Sequence, residues 1–333
     1  MPAETDLYFR QLALGEMANL VYLVGSKSAR ECVVVDPAWN IEGILEVAAE
    51  DDMKLVGALA MGNRPLIKPE TKVSVVLEQF VRLLIHAGLK PTDLDVIHCR
   101  GTLMGQLIEN ARKNIRLVQF TGSSGVAEHL SEVMNGAVRI AGAGVDWKVI
   151  GPDFHEDWVD YVAWQCDEDA YNAAGQKCSA QSIVFMHDNW TEALLPKLAE
   201  LAARRSLDDL TLGPVLTWDN ASIKGHIDAM LAVPGAELLF GGKPLTGHSI
   251  PDCYGAYEAT AVRVPIEAVA GEHAELITTE LFGPFQVVVS YGDDQLGMVL
   301  DVLERMSHHL TAAVVSKDVH FQNAVLGATV NGT

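Results

Sequence analysis

From Gly57 onward the apolar residues switch repeatedly between the two-residue spacing of a strand and the three-to-four spacing of a helix. That alternation restricts the fold more than any other feature of the chain. Pro65 to Lys68 reads as a strand end, Val73 to Gly88 as a helix and Leu94 to His98 as a strand. Gly101 to Ala111 follows as a helix, Ile115 to Thr121 as a strand and Ser124 to Val133 as a helix. Strands separated by helices form a parallel sheet covered on both faces, and ligands then lie at the carboxyl ends of the strands. Lys68 and the Gly122-Ser123 turn stand at such ends. After Val145 a second α/β unit is predicted. Its helices are Trp158 to Ala173, Thr191 to Arg204, Asn220 to Leu231 and Asp294 to Met306, with a short one at Val319 to Leu326. Its strands are Gln181 to Met186, Leu238 to Gly241, Thr260 to Val264, Gln286 to Ser290 and Leu310 to Val315.

The stretch Asn172 to Ser182, Asn-Ala-Ala-Gly-Gln-Lys-Cys-Ser-Ala-Gln-Ser, sets Cys178 among small and polar residues with a lysine beside it. A nucleophilic thiol needs access and surroundings that favour its thiolate, whereas a packing cysteine sits among bulky apolar side chains. Both a nucleophile and a small residue in a tight strand-entry loop fit this stretch. Backbone N–H groups after Gly122-Ser123 can face a pyrophosphate, or Ser123 can simply cap a helix. Glu280 and Phe282, two apart in an extended stretch, are either a pair facing one side or a loop carboxylate and a core aromatic.

Composition removes several classes of partner. A net charge of -20 disfavours nucleic acid and anionic membrane surfaces, and no apolar run reaches membrane length. Five dispersed cysteines without a Cys-x-x-Cys pair argue against a disulfide framework, so a reducing compartment fits. The first residues have neither a signal-peptide nor a transit-peptide pattern, which makes the expectation cytoplasmic.

Gly175-Gln176-Lys177-Cys178-Ser179 resembles the nucleophile motif of the aldehyde dehydrogenase superfamily, and further segments follow in that family's order. Upstream lie Met61 to Pro69 and Phe120-Thr121-Gly122-Ser123-Ser124. Downstream lie Leu212-Gly213-Pro214-Val215, Leu239 to Lys243 and Glu280-Leu281-Phe282-Gly283-Pro284-Phe285. The runs Asp146 to Asp153 and Tyr161 to Asp167 are similar to those of plant-type delta-1-pyrroline-5-carboxylate dehydrogenases. The resemblance covers about residues 57–333. It implies an α/β, aldehyde dehydrogenase-like fold with an incomplete Rossmann-like cofactor domain (57–145) and an α/β catalytic domain (146–333). Residues 1–56 form a separate N-terminal segment, similar to the first strands of metallo-β-lactamase-fold hydrolases. Its strands Val21 to Gly25 and Cys32 to Asp36 precede a helix, Ile41 to Glu50, but the next strand, Lys54 to Ala60, is not followed by a histidine-rich zinc motif. No metal site is therefore expected.

By resemblance, Cys178 attacks a small-molecule aldehyde, hydride passes to NAD and water hydrolyses the thioester. Lys68, Gly122, Ser123, Glu280 and Phe282 form the cofactor site, with Lys68 at the adenosine ribose, Glu280 on the nicotinamide ribose and Phe282 against the nicotinamide. The implied substrate is glutamate 5-semialdehyde, in equilibrium with delta-1-pyrroline-5-carboxylate, in a homo-oligomer. Two of the family's catalytic groups have no counterpart. Ala141 stands where the glutamate base is expected, and the oxyanion asparagine belongs to a motif this sequence does not contain. Three further readings stay open beside the dehydrogenase: a nucleotide-binding or oligomer-forming pseudoenzyme, a thiol that acylates once, and, weaker, a zinc hydrolase.

Overall fold

The alternation read from the sequence is realised most fully after residue 145, where six strands share one sheet. The computed structural model describes residues 6–14, 19–28, 30–35, 41–52, 54–55, 64–142, 144–306 and 309–329. It divides into two units, Met1–Leu107 and Ile108–Thr333.

In the first unit, β1 (Leu7–Leu14), β2 (Asn19–Ser26), β3 (Glu31–Val35) and β4 (Lys54–Leu55) form one sheet in that order. The two strands predicted at Val21 to Gly25 and Cys32 to Asp36 are present as β2 and β3, antiparallel with Gly25 opposite Cys32. β1, which the sequence reading passes over, pairs along the other edge of β2. Helix α1 (Ile41–Glu50) connects β3 to β4, which lie parallel. Leu23, Cys32 and Ala48 are buried, and the Tyr8 hydroxyl donates to Asp51 at 2.6 Å. Of the strand expected at Lys54 to Ala60, the part after Leu55 lies outside the described residues, as does Met61 to Asn63 of the motif that follows. Next come β5 (Leu66–Ile67), α2 (Ser74–His86), β6 (Asp95–Val96) and the start of α3 (Gly101–Ala111), with β5 and β6 a short parallel pair. Within α2 Val81 is buried, while Val75, Val76, Phe80 and Leu83 are exposed.

The second unit opens with a parallel pair, β7 (Val118–Gly122) and β8 (Val138–Gly142), joined through α4 (Ser124–Val133). It continues through β9 (Asp146–Ile150), α5 (Val159–Tyr171), β10 (Gln181–His187), α6 (Asp188–Ala203), α7 (Asn220–Leu231), β11 (Glu237–Phe240) and β12 (Thr260–Pro265). Short helices α8 (Ile266–Ala270) and α9 (Ala274–Ile277) precede β13 (Phe285–Tyr291), α10 (Leu296–Arg305), β14 (Ala312–Val315) and α11 (Val319–Ala328). The six-stranded sheet has the order β11-β12-β13-β10-β9-β14, parallel except for β11. Two-residue periodicity shares its side chains between two cores. Ile183, Phe185, Val287 and Val289 face one cluster with Ile223, Ile227, Val299 and Val302 from α7 and α10. Val184, Met186 and Val288 face another with Val162, Trp190 and Leu194 from α5 and α6. Each such side chain contributes about 1.5–3 kcal/mol when fully buried. The strand residues of β7 and β8, by contrast, are half-buried or exposed. Among the described helices none is long and apolar enough to cross a membrane.

Candidate active site

Parallel neighbours β9, β10 and β13 enter the sheet at the same end. Gln181 lies opposite Asp146, and Ile183 opposite Val287, so the segments just before Asp146, Gln181 and Phe285 collect at one edge. Those segments carry Gly144, Cys178 and Glu280.

The Cys178 segment begins where the predicted helix Trp158 to Ala173 stops short. α5 ends at Tyr171, and Ala173 (φ 56°), Ala174 (φ 54°) and Gly175 (φ 68°) follow in the left-handed region. A left-handed alanine costs roughly 1–2 kcal/mol, and strain of this kind concentrates at functional sites. The turn is enforced by packing, since a Cβ on Gly175 would lie 2.0 Å from the Gly283 carbonyl oxygen and 3.0 Å from that of Ala170. Gln176 then fastens the loop: its Nε2 donates to the Pro214 carbonyl at 2.9 Å, and its Oε1 accepts from the Leu216 N–H at 2.7 Å. Val215 between them pairs with Gly255 through two backbone hydrogen bonds, which fixes the Leu212 to Val215 motif. The Ala180 N–H closes a turn onto the Lys177 carbonyl at 3.0 Å, and that turn leaves Cys178 exposed. Access, which the sequence left open, is therefore present.

Below the loop the ends of the strands are held by a buried polar chain. Gln181 donates to Gln286 at 2.6 Å, Gln286 to the Tyr171 hydroxyl at 2.9 Å, and that hydroxyl to the Thr260 carbonyl at 2.9 Å. Buried hydrogen-bonded networks of this kind fix one arrangement, because each member left without its partner would pay desolvation in full. On β9, Lys148 is buried yet reaches Asp169 of α5 at 2.6 Å, and Asp146 accepts from the Leu310 and Thr311 N–H groups at 2.6 and 2.7 Å. Burial pushes the Asp146 carboxyl up.

Glu280 is half-buried and accepts from the Gly144 N–H at 3.1 Å. Burial first, then the nearby Asp146 charge, push its carboxyl up to about 7 against the pull of that hydrogen bond. Leu281 belongs to the core, whereas Glu280 and Phe282 on either side of it stay partly exposed, as the spacing of two predicts. Gly122 ends β7, and Ser123 precedes α4 with no hydrogen bond from its own side chain to the helix. The first N–H groups of α4 therefore remain available to an anion. This open helix start and the half-buried Glu280, which has capacity to accept from a hydroxyl, suit a dinucleotide's phosphates and ribose. Lys68 belongs to the other unit, half-buried directly after β5. Ala141 lies exposed on β8 opposite Thr121, so no carboxylate projects from that position.

Sequence reasoning missed Gln176 as the brace of the loop, and Gly144 as the partner of Glu280. For Gln176 its place beside the cysteine was a usable signal. The Gly144 contact spans 136 residues and had none.

Comparison with known proteins adds three findings. The profile of the aldehyde dehydrogenase family matches residues 48–332. A mitochondrial delta-1-pyrroline-5-carboxylate dehydrogenase of Arabidopsis thaliana is 54% identical over 284 residues, covering 84% of this chain and 50% of that protein. A 1-pyrroline-5-carboxylate dehydrogenase from Thermus with bound NAD superposes with a TM-score of 0.66 at 23% identity, over 82% of this chain and 52% of the other. The corresponding Mycobacterium tuberculosis enzyme gives 0.65 at 21%, over 84% and 51%. These two share the α/β fold with this chain. The chain spans about half the length of the curated relatives it matches. The cytoplasmic expectation is corrected by the Arabidopsis relative, which is mitochondrial; the pattern of the first few residues was no basis for a compartment. The family match leaves residues 1–47 outside it and lends no support to their likeness to lactamase-fold hydrolases.

Proposed function

The chain belongs to the aldehyde dehydrogenase family, and on that premise we propose that it oxidises glutamate 5-semialdehyde, in equilibrium with delta-1-pyrroline-5-carboxylate, to glutamate with NAD. The observation that carries the reading is Cys178, exposed at the tip of a braced turn next to the Glu280 to Gly283 segment. The Cys178 sulfur attacks the aldehyde carbon, and the resulting tetrahedral oxyanion collapses to a thioester on that sulfur. NAD, when bound, supplies the acceptor for the departing hydride. Gly122, Ser123 and the start of α4 offer N–H groups to its phosphates. Glu280 serves the nicotinamide ribose hydroxyls, and Phe282 packs against the nicotinamide. The substrate assignment is supported by the 54% identity to the Arabidopsis enzyme, and NAD by the Thermus relative that binds it. A homo-oligomeric state is part of the same reading, and sedimentation tests it. NADH formation from delta-1-pyrroline-5-carboxylate, lost on Cys178→Ala, is the expected result. Equal rates for the two proteins would refute the assignment.

A further inference from the structure

Hydrolysis of the thioester needs a group that takes a proton from water, and the chain has alanine at position 141, where a carboxylate would be expected. Asp146 and Glu280 are two carboxylates at the shared entrance of β9, β10 and β13. Asp146 is buried and already accepts from Leu310 and Thr311, so it serves the strand register. Glu280 is the other. It accepts a hydrogen bond from Gly144, three residues after Ala141. Its own segment touches the Cys178 loop, where Gly283 meets Gly175 so closely that no Cβ fits. Gly144, which follows the β8 strand that carries Ala141, and the cysteine loop thus both contact the segment that bears this carboxylate.

We propose that Glu280 is the general base of the deacylation step, taking over from the carboxylate missing at Ala141. The inference rests on the aldehyde dehydrogenase reading of the site and adds a residue role to it. Water lies between the Glu280 carboxylate and the thioester carbon. Its proton moves to a carboxylate oxygen, its oxygen bonds to the carbon, and the C–S bond breaks to return the Cys178 thiolate and release a carboxylic acid. The proton on Glu280 then leaves to solvent, so atoms and charge balance without a further reactant. A half-buried carboxylate with one backbone donor is basic enough for this. The ionisable group acting on it is Asp146, whose charge also favours the protonated form. Hydrogen bonding to ribose hydroxyls and proton uptake from water use the same oxygens at different stages.

The test separates the two halves of the reaction in the full chain with NAD and delta-1-pyrroline-5-carboxylate. In Glu280→Gln, with NAD raised until the weakened ribose site is saturated, NADH formation is expected to stop after about one per Cys178. Steady-state turnover should fall by about 10²–10⁴ and an acylated Cys178 should accumulate in the intact mass. In the unaltered chain, decay of the acyl adduct should speed up as pH rises through about 7 and then level off, and this limb should be lost in the variant. A variant that only raises KM for NAD, with kcat and pH profile intact, would overturn the base role and leave Glu280 as a ribose ligand. Decay independent of pH across that range in the unaltered chain would overturn it even if the variant fails to fold. If the unaltered chain gives no burst at all, the aldehyde dehydrogenase reading fails, and this inference with it.

Discussion

Gly175→Ala is the substitution whose cost the structure defines most fully. At φ 68° an L side chain is strained by roughly 1–2 kcal/mol. The new Cβ would lie 2.0 Å from the Gly283 oxygen, 2.7 Å from its carbon and 3.0 Å from the Ala170 oxygen. All three are backbone atoms, so no side-chain rotation relieves the clash, and overpacking adds about 1–3 kcal/mol. The sum, about 2–5 kcal/mol, corresponds to a melting temperature lowered on the order of 10 °C for a unit of this size. Because the strain is relieved by parting Gly175 from Gly283, it also parts the Cys178 loop from Glu280. The NADH burst should therefore weaken even below the melting transition. Gly125→Ala is the matched control: it lies in α4 with nothing within 4 Å of the added methyl, and about 0.5–1 kcal/mol of stabilisation is expected. Thermal melts followed by circular dichroism, with burst amplitudes measured well below the transition, read both quantities. If Gly175→Ala melts with the unaltered chain and keeps its burst, the close approach that positions the nucleophile is refuted.

Ala173→Gly, at a left-handed and exposed position two residues earlier, relieves strain and should leave the melt unchanged or raised by up to about 1 kcal/mol, in contrast to its neighbour. Arg205→Ala leaves the fully buried Asp167 carboxylate, which Arg205 contacts at 2.5 Å, with the longer Arg204 contact at 3.8 Å; a loss of about 3 kcal/mol in denaturant unfolding is expected. The folded-state value for Glu280 is raised to about 7 from 4.5, so the fold disfavours its ionised form. Stability is therefore lost as pH rises from about 4.5 through about 7. Glu280→Gln removes that loss and should gain more stability at alkaline than at acid pH; the same difference at both would contradict the burial argument.

The sequence made β10, β12 and β13 legible because apolar runs in them serve two cores at once. It did not reveal β9, the neighbour of β10, because Asp146 and Lys148 break its apolar run. Their burial becomes tolerable only through Leu310 and Thr311 far along the chain and through Asp169 on α5. β8 escaped for a different reason: its residues are half-buried or exposed and include Ala141 and Gly142, which carry little strand signal. The predicted end of α5 at Ala173 lies two residues beyond the observed end at Tyr171, where the chain turns toward the close approach of Gly283 to Gly175, which no local pattern encodes. At the site, small residues and period-two spacing offered an accessible thiol and an outward pairing of Glu280 with Phe282 each as one of two readings, and only the exposure seen in the fold separates them. The basicity of Glu280 had no such signal, since it arises from burial beside Gly144 and Asp146.

The most direct test is the intact mass of the protein after incubation with delta-1-pyrroline-5-carboxylate and NAD, quenched in acid within the first turnover. The expected spectrum carries one acyl group per chain, located on Cys178 by peptide mapping and absent from Cys178→Ala. An unmodified mass with no NADH released, or an adduct on Cys253, the other exposed cysteine, would contradict the account.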